Sequence, residues 1–391
     1  MESKTMRYVK PEYYDDFVCA ASRCPQTCCA GWQIVIDEES MARYEEIIRQ
    51  NRDNFSGRLE DSIDWQEGVF FQKNKRCAFL NEKNLCDLYA RLGTKALCNT
   101  CRDYPRHVEE FEGLRELSLS LSCPVAAERI LSEKKFPVFV EYETQEPEEL
   151  EEEFEDFDLL LFTQLEDARK VAFTILQAPH LTFRQQIAYL LSLAAKMDDC
   201  VGEGRFSDMD EVIAGYACPT EPAEGTVFDW YGKKRFDTFK ENFAALEQME
   251  LLSEDWEEER NCVKHLLYEQ GEAQYLQIAE RFEKQMEASG IEGISLKQMA
   301  VNLLVSFVYT WFCGAAYNGW VYSKMAMAVY CTCYILEFMM ARWAEKEEPL
   351  SLSDCVEITC HFTREVEHSD YNLGILEEWF IQTLQDAPEE F

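Results

Sequence analysis

Cysteine is the residue whose number and spacing first suggest chemistry. The 391-residue chain holds 17, and nine lie in its first third: Cys19, Cys24, Cys28, Cys29, Cys77, Cys86, Cys98, Cys101 and Cys123. They fall into four groups: Cys19-x4-Cys24-x3-Cys28-Cys29, Cys77-x8-Cys86, Cys98-x2-Cys101 and Cys123-Pro124. Thiolate sulfur is a favoured donor for zinc and for iron–sulfur clusters, and four cysteines complete a closed site. The spacing is neither the paired Cys-x2-Cys of a zinc finger nor the Cys-x3-Cys-x2-Cys run of radical enzymes, because Cys29 follows Cys28 at once. Adjacent thiols project differently, so Cys28 and Cys29 are better suited to serving two directions than one metal face. The N-terminus, MESKTMRYVKPEYYDDFVC, has neither an apolar core nor a small-residue cleavage site. With an odd cysteine count, this argues against a secreted disulfide framework and for a cytoplasmic protein. The eight cysteines after residue 123 read as ordinary buried side chains.

The elements that must position these thiols divide the chain in two. Residues 1–130 carry 18 basic and 22 acidic side chains, whereas 131–391 carry 20 and 52 of the total charge of −36. Such acidity excludes a nucleic-acid binder that works by broad phosphate neutralisation. In 1–130, Trp32–Ile36 reads as a short strand, and Asp37-Glu38-Glu39-Ser40 opens a helix through Ile48 with acids in its first turn. Leu117-Ser118-Leu119-Ser120-Leu121-Ser122 alternates as a half-buried strand does. Residues 131–157 read as an acidic linker, with 11 acids and no base between Glu141 and Asp158. From 158 to 391 the pattern is helical almost throughout, broken near Pro179 and over Ala217–Gly225. The expected fold is a cysteine-rich α+β N-terminal module plus an all-α C-terminal helical module, mainly α overall. No charge interrupts Gln298–Ser323, but its Gln, Asn and Gly residues favour a buried helix or helix pair over a membrane span.

The motifs also carry a family resemblance. Phe17-x-Cys19-x4-Cys24-Pro25-Gln26-Thr27-Cys28-Cys29-Ala30-Gly31-Trp32 resembles the N-terminal signature of the flagellin lysine-N-methylase family. Cys77-Ala78-Phe79-Leu80, Leu85-Cys86-Asp87-Leu88-Tyr89, Thr100-Cys101-Arg102-Asp103-Tyr104-Pro105-Arg106 and Leu119-Ser120-Leu121-Ser122-Cys123-Pro124 follow in order. Phe362-Thr363-Arg364-Glu365-Val366-Glu367-His368-Ser369 with Asn372 is similar to the family's closing motif. The N-terminal part also resembles small cysteine-rich, putatively zinc- or iron-chelating proteins.

The resemblance implies methyl transfer from S-adenosylmethionine to lysines of flagellin, with a [4Fe–4S] cluster in the enzyme. Carried over residue by residue, the metal ligands are Cys19, Cys24, Cys28, Cys29, Cys77, Cys86, Cys101 and Cys123, with Cys98 outside the pattern. Eight exceed the needs of one cluster, so either a second site exists or some are structural. The alternative from another class is a non-catalytic zinc- or iron-binding or redox-sensing protein. The one Gly-x-Gly, Gly202-Glu203-Gly204, follows no buried strand and reads as a turn, so no Rossmann-type cofactor loop is present. Arg102 and Arg106, and after them Lys73, Lys75 and Arg76, are candidates to pair the cofactor carboxylate. Lysine must be neutral to attack a sulfonium methyl, which calls for burial and a base. His368 with Glu365 and Glu367 is one candidate group. The aromatic stretch of Tyr309, Trp311, Tyr317, Trp320 and Tyr322 is another, since aromatic faces suit a methylated ammonium.

Overall fold

A computed structural model describes residues 3–50, 53–147, 154–219, 232–346 and 349–385. Its N-terminal strand β1 (Ser3–Pro11) leads to a small cysteine-rich unit. That unit contains helices α1 (Glu38–Gln50) and α2 (Asn54–Asp61) and the ribbons β2 (Ile63–Asp64) with β3 (Val69–Phe70) and β4 (Gln72–Lys73) with β5 (Arg76–Cys77). Short helices α3 (Asp87–Leu92) and α4 (Asn99–Asp103) close it. Its own core is small: Ile34, Ile36, Tyr44, Leu59, Phe70 and Phe79 are among its members, together with Cys77 and Cys98. The segment expected as a strand at Trp32–Ile36 forms only an isolated bridge, Val35 to Val69. Its side chains alternate as a strand's do, with Ile34 and Ile36 buried and Val35 exposed.

Strands β6 (Arg106–Phe111) and β7 (Leu114–Leu119), helix α5 (Pro124–Leu131) and strand β8 (Phe139–Pro147) follow. The sheet order is β6-β7-β1-β8, with β1 parallel to β7 and antiparallel to β8. β8 lies in the stretch that reads as an acidic linker. Charge explains its pairing: Lys4 faces Glu146 and Arg7 faces Glu143 across the ladder, and opposed charges favour cross-strand pairs. Arg7 Nε also donates to Glu141 at 2.8 Å. Residues 148–153 of the acidic run lie outside the described residues. The leucines of the Leu/Ser alternation, Leu117, Leu119 and Leu121, enter the large core, but the strand ends at Leu119, and Ser118 and Ser122 are buried as well.

The remainder is helical: α6 (Leu159–Gln177), α7 (Phe183–Gly202), α8 (Met209–Tyr216), α9 (Gly232–Gln248), α10 (Glu254–Val263) and α11 (Glu272–Ser289). Then come α12 (Leu296–Trp311), α13 (Val321–Lys346), α14 (Leu352–Glu367) and α15 (Asp370–Gln385). The fold is thus mainly helical with an N-terminal mixed-sheet region, as the patterning implies. Helix α13 is the axis of this part and packs against α7, α12, α14 and α15. It and the segment Leu296–Tyr317 are long and apolar enough to cross a membrane, yet their most apolar windows are 89% and 78% buried within the fold. A buried ion pair ties sheet to helices: Arg169 on α6 donates to Glu116 on β7 at 2.6 Å and through a second, shorter bond. Gly202-Glu203-Gly204 ends α7 in a turn, with Gly204 at φ +67, a conformation that costs glycine little.

Candidate active site

A cavity of about 840 Å³ lies where the cysteine unit, the sheet and the last helices meet. The motifs supply its walls in three pieces. Trp32 follows the first cysteine group, Asn99, Thr100 and Asp103 to His107 come from around and after the third, and Ser118 and Ser120 come from the end of β7 and just beyond it. The C-terminal motif closes it with Glu367, His368, Ser369 and Asp370. Residues from α12 and α13, Trp311 and Lys324 among them, form the far side.

A continuous set of hydrogen bonds links these pieces. His368 Nε2 lies 2.9 Å from Ser122 Oγ, and Tyr104 Oη lies 3.0 Å from the same oxygen. Ser122 Oγ is 2.6 Å from Ser120 Oγ, which donates to Glu367 Oε2 at 2.8 Å. Both serines lie past the end of β7, in the turn before α5, where the Ser122 N–H donates to Ser120 Oγ at 3.2 Å and holds the two hydroxyls together. Above the imidazole, Trp32 packs with ring centroids 4.4 Å apart, and its Nε1 donates to Cys28 O at 2.8 Å. Arg364 fastens the rim, donating from Nε to Ser122 O at 3.0 Å and from Nη2 to Gln26 O at 3.1 Å.

Burial sets the electrostatics. It pushes the Glu367 carboxyl above the usual range, opposed by the Ser120 hydrogen bond and by His107. Burial, and then the Arg364 charge, pull His368 down to about 3. The imidazole is therefore neutral, and its Nδ1 is buried without a hydrogen-bond partner. His107 goes the other way: burial lowers it, but its 2.7 Å contact with Glu109 outweighs this and raises it. Lys324, ion-paired with Glu377, is lowered by burial. Asp103, Glu109, Glu250, Glu367, Asp370 and Glu377 outnumber Arg106, His107 and Lys324 in the wall. The acidic bias, with Trp32, Tyr104, Trp311 and Tyr371 beside it, suits a cationic guest.

The expected site residues divide. Glu367, His368 and Arg106 line the cavity, and the Arg106 guanidinium lies 5.2 Å from the Phe17 ring. Arg102 is not in the wall and pairs with Asp103 at 2.9 Å. Glu365 also lies outside it, accepting the Leu252 N–H at 2.8 Å; burial raises its carboxyl to about 7 against the pull of that bond. Lys75 donates to Leu252 O and Arg76 to Asn84. Of the aromatic stretch only Trp311 reaches the wall; Tyr309 and Tyr317 donate to Val9 O and Glu110 O instead. Sequence reasoning missed Glu109, Lys324 and Glu377. No local spacing marks them, because their neighbours in space are distant in sequence. Ser120 and Ser122 were visible as alternation but not as hydrogen-bonding groups.

The cysteines gather beside this cavity. Cys77 and Cys98 belong to the small core, with Cys29, Cys86 and Cys101 packed against it. Cys123 belongs to the large core, Cys24 and Cys28 are half-buried, and Cys19 is exposed. A hydrogen bond from Cys28 lowers Cys29 to about 7 and raises Cys28, so Cys29 gives up its proton before Cys28 does. Among the described residues no three thiol sulfurs lie within 4.8 Å of one another. A tetrahedral zinc site with Zn–S of about 2.3 Å needs sulfurs roughly 3.8 Å apart.

Comparison with known proteins places the chain. The family model described as the FliB lysine N-methylase C-terminal domain matches residues 169–388, more than half of the chain and inclusive of the closing motif. A 135-residue stretch is 31% identical to the flagellar biosynthetic protein FliU of Salmonella muenchen and covers 33% of this chain and 80% of that protein. Stretches of 135 residues are 30% identical to the lysine-N-methylases of Salmonella choleraesuis and Salmonella typhimurium, and span only 34% of the length of each. No solved structure matches. The expected kinship therefore holds, and the chain belongs to the FliB lysine N-methylase family.

Proposed function

We propose that the protein transfers methyl groups from S-adenosylmethionine to lysine side chains of flagellin, and that the cavity between its modules is where this occurs. The observation that carries this reading is the join between Glu367 and His368 and the serines Ser120 and Ser122, inside an acidic, aromatic pocket. Both reactants are cations, an ammonium and a sulfonium, and such a wall attracts them and faces them with π-systems. Family membership favours this reading over a non-catalytic metal-binding or redox-sensing protein. The names of the relatives, a flagellar biosynthetic protein and two lysine-N-methylases, support flagellin as the substrate.

The residues give each step a place. Glu367, raised by burial, accepts the ammonium proton, and Ser120 steadies its carboxylate. The neutral amine is oriented by the neutral His368, whose Nε2 is fixed by Ser122. Trp32 and Tyr104 exclude water around that ring. The nitrogen lone pair then forms the N–CH3 bond as the C–S bond breaks, leaving a neutral thioether. Arg106 is the wall cation placed to meet a cofactor carboxylate.

The cysteines fit a thiolate-held metal group in the chemistry of their donors: they converge from four sequence groups, and none is disulfide-bonded among the described residues. In a [4Fe–4S] reading, Cys19, Cys24, Cys28, Cys29, Cys77, Cys86, Cys101 and Cys123 are the candidate holders. The group would supply a Lewis-acidic or redox-active iron beside the cavity. Among the described residues no three thiol sulfurs are close enough to share one zinc ion, which favours this over a single zinc. A thiol-rich chain of this kind suits the reducing cytoplasm. The test is to incubate the metal-replete protein with S-adenosylmethionine and flagellin and to map mass gain by peptide. Methylated lysine supports the reading, and its absence sinks it for that substrate.

A further inference from the structure

Nine thiols are more than one metal centre can use, since a tetrahedral zinc site or an iron–sulfur cluster takes four. Packing sorts them. Cys77 and Cys98 lie in the small core, and Cys29, Cys86 and Cys101 pack against it. Backbone pairing holds these together: the Cys77 N–H donates to Cys29 O at 2.9 Å, and Leu80 bridges Cys86. Cys123 sits instead in the large core, at the start of α5. The loop carrying Cys24 and Cys28 is brought to it by Arg364, whose guanidinium spans Gln26 O and Ser122 O. Cys24 Sγ itself lies 3.1 Å from Gln26 O. Electrostatic neighbours agree with this sorting. Cys123 senses Cys24 and Cys19, Cys28 senses Cys29 first and then Cys19 and Cys123, and Cys77 senses Cys29, Cys86 and Cys98. Cys29 also reaches Cys24, as befits its place at the boundary.

Backbone N–H groups aim at sulfur in both sets. Ala21 N lies 3.4 Å from Cys19 Sγ and Tyr89 N lies 3.5 Å from Cys86 Sγ. Such bonds stabilise thiolates and tune thiolate-bound metals. We propose that the nine cysteines build two separate metal centres: a core centre at Cys29, Cys77, Cys86, Cys98 and Cys101, and a junction centre at Cys19, Cys24, Cys28 and Cys123. The Cys28–Cys29 pair, whose thiols hydrogen-bond to each other, is where the two sets meet. Each centre takes iron with sulfide. The core centre staples a unit whose apolar core is too small to be secure alone. The junction centre sits against α14 and the cavity.

Metal counting tests this without reference to methyl transfer, so its failure is distinguishable from failure of the proposed activity. The full chain is reconstituted anaerobically with ferrous iron and sulfide, and with zinc in a second arm, and metal per chain is measured by mass spectrometry. C77S/C86S and C24S/C123S are each expected to lose one centre's share of the wild-type metal, and the quadruple variant to lose all of it. Circular dichroism reports folding. If a double variant unfolds, C86S and C19S, at half-buried and exposed positions, replace it and are expected to lower the same shares. A folded variant of either set that loses all bound metal overturns the proposal, as does a set whose removal leaves the metal content unchanged.

Discussion

The indole of Trp32 packs on the imidazole of His368 with ring centroids 4.4 Å apart, joining residues from the first cysteine group and the C-terminal motif. Trp32 is fixed from behind by its bond to Cys28 O, and His368 by its contact with Ser122. The cysteine unit therefore holds one wall of the cavity directly. Gly31, at φ +90, lets the chain turn between Cys29 and Trp32, with its N–H donating to Lys75 O at 2.9 Å; a residue with a Cβ would be strained there.

This contact makes Trp32→Ala a test of the junction. Loss of the ring exposes His368 to water and removes an aromatic face for the cation. Methyl transfer to flagellin is expected to fall by roughly ten- to a hundred-fold, while the helical circular dichroism signal stays. Trp32→Phe, which keeps a ring, is expected to retain most of the activity. Equal rates for wild type and W32A would remove the indole from the site.

Stability against pH carries two opposed contributions. His368 is about 3 when folded and near 6.5 when unfolded, so its contribution is present above pH 6.5 and lost as pH falls. Glu365 is about 7 when folded against 4.5 unfolded, so its contribution is present below pH 4.5 and lost as pH rises through 7. Each is worth about 2 kcal/mol between pH 5 and 7, in opposite directions, and they largely cancel. Urea titrations of E365Q should therefore show stability falling from pH 7 to 5. Those of H368N should show it rising. Parallel slopes in the two variants would contradict these assignments.

Arg169 and Glu116 offer a purely structural prediction. Both side chains are more than nine-tenths buried, and they pair α6 to β7. Removing one leaves the other charge buried and unpaired, so Arg169→Met should cost about 3–5 kcal/mol in chemical denaturation. The E116L/R169M double variant, which buries no lone charge, should recover much of that loss. A double variant no more stable than R169M would show that packing, not charge, sets the cost.

Much of the fold could be read along the chain because its causes are local. The helices over 159–177 and 183–202 follow their apolar periodicity, and the Leu/Ser alternation puts leucines inward. The acidic run misleads, since what draws 139–147 into a strand is a basic partner more than a hundred residues away. The site shows the same division. Glu367 and His368 stood out through their motif, but their link to Ser120 and Ser122 spans about 247 residues. Glu365 looked equivalent to Glu367 two residues on. A helix turns 100° per residue, so the two carboxylates point to different places, and Glu365 reaches Leu252 instead.

The central claim is lysine methylation in this cavity with Glu367 as proton acceptor. The most direct measurement follows transfer of an isotope-labelled methyl group from S-adenosylmethionine to flagellin lysines, by wild type and Glu367→Gln in parallel at equal metal content. Wild type is expected to yield labelled lysine, and E367Q a rate lower by about 10²–10⁴-fold, the fold being kept. Unlabelled lysines with the metal-replete wild type, or equal rates for the two proteins, would contradict it.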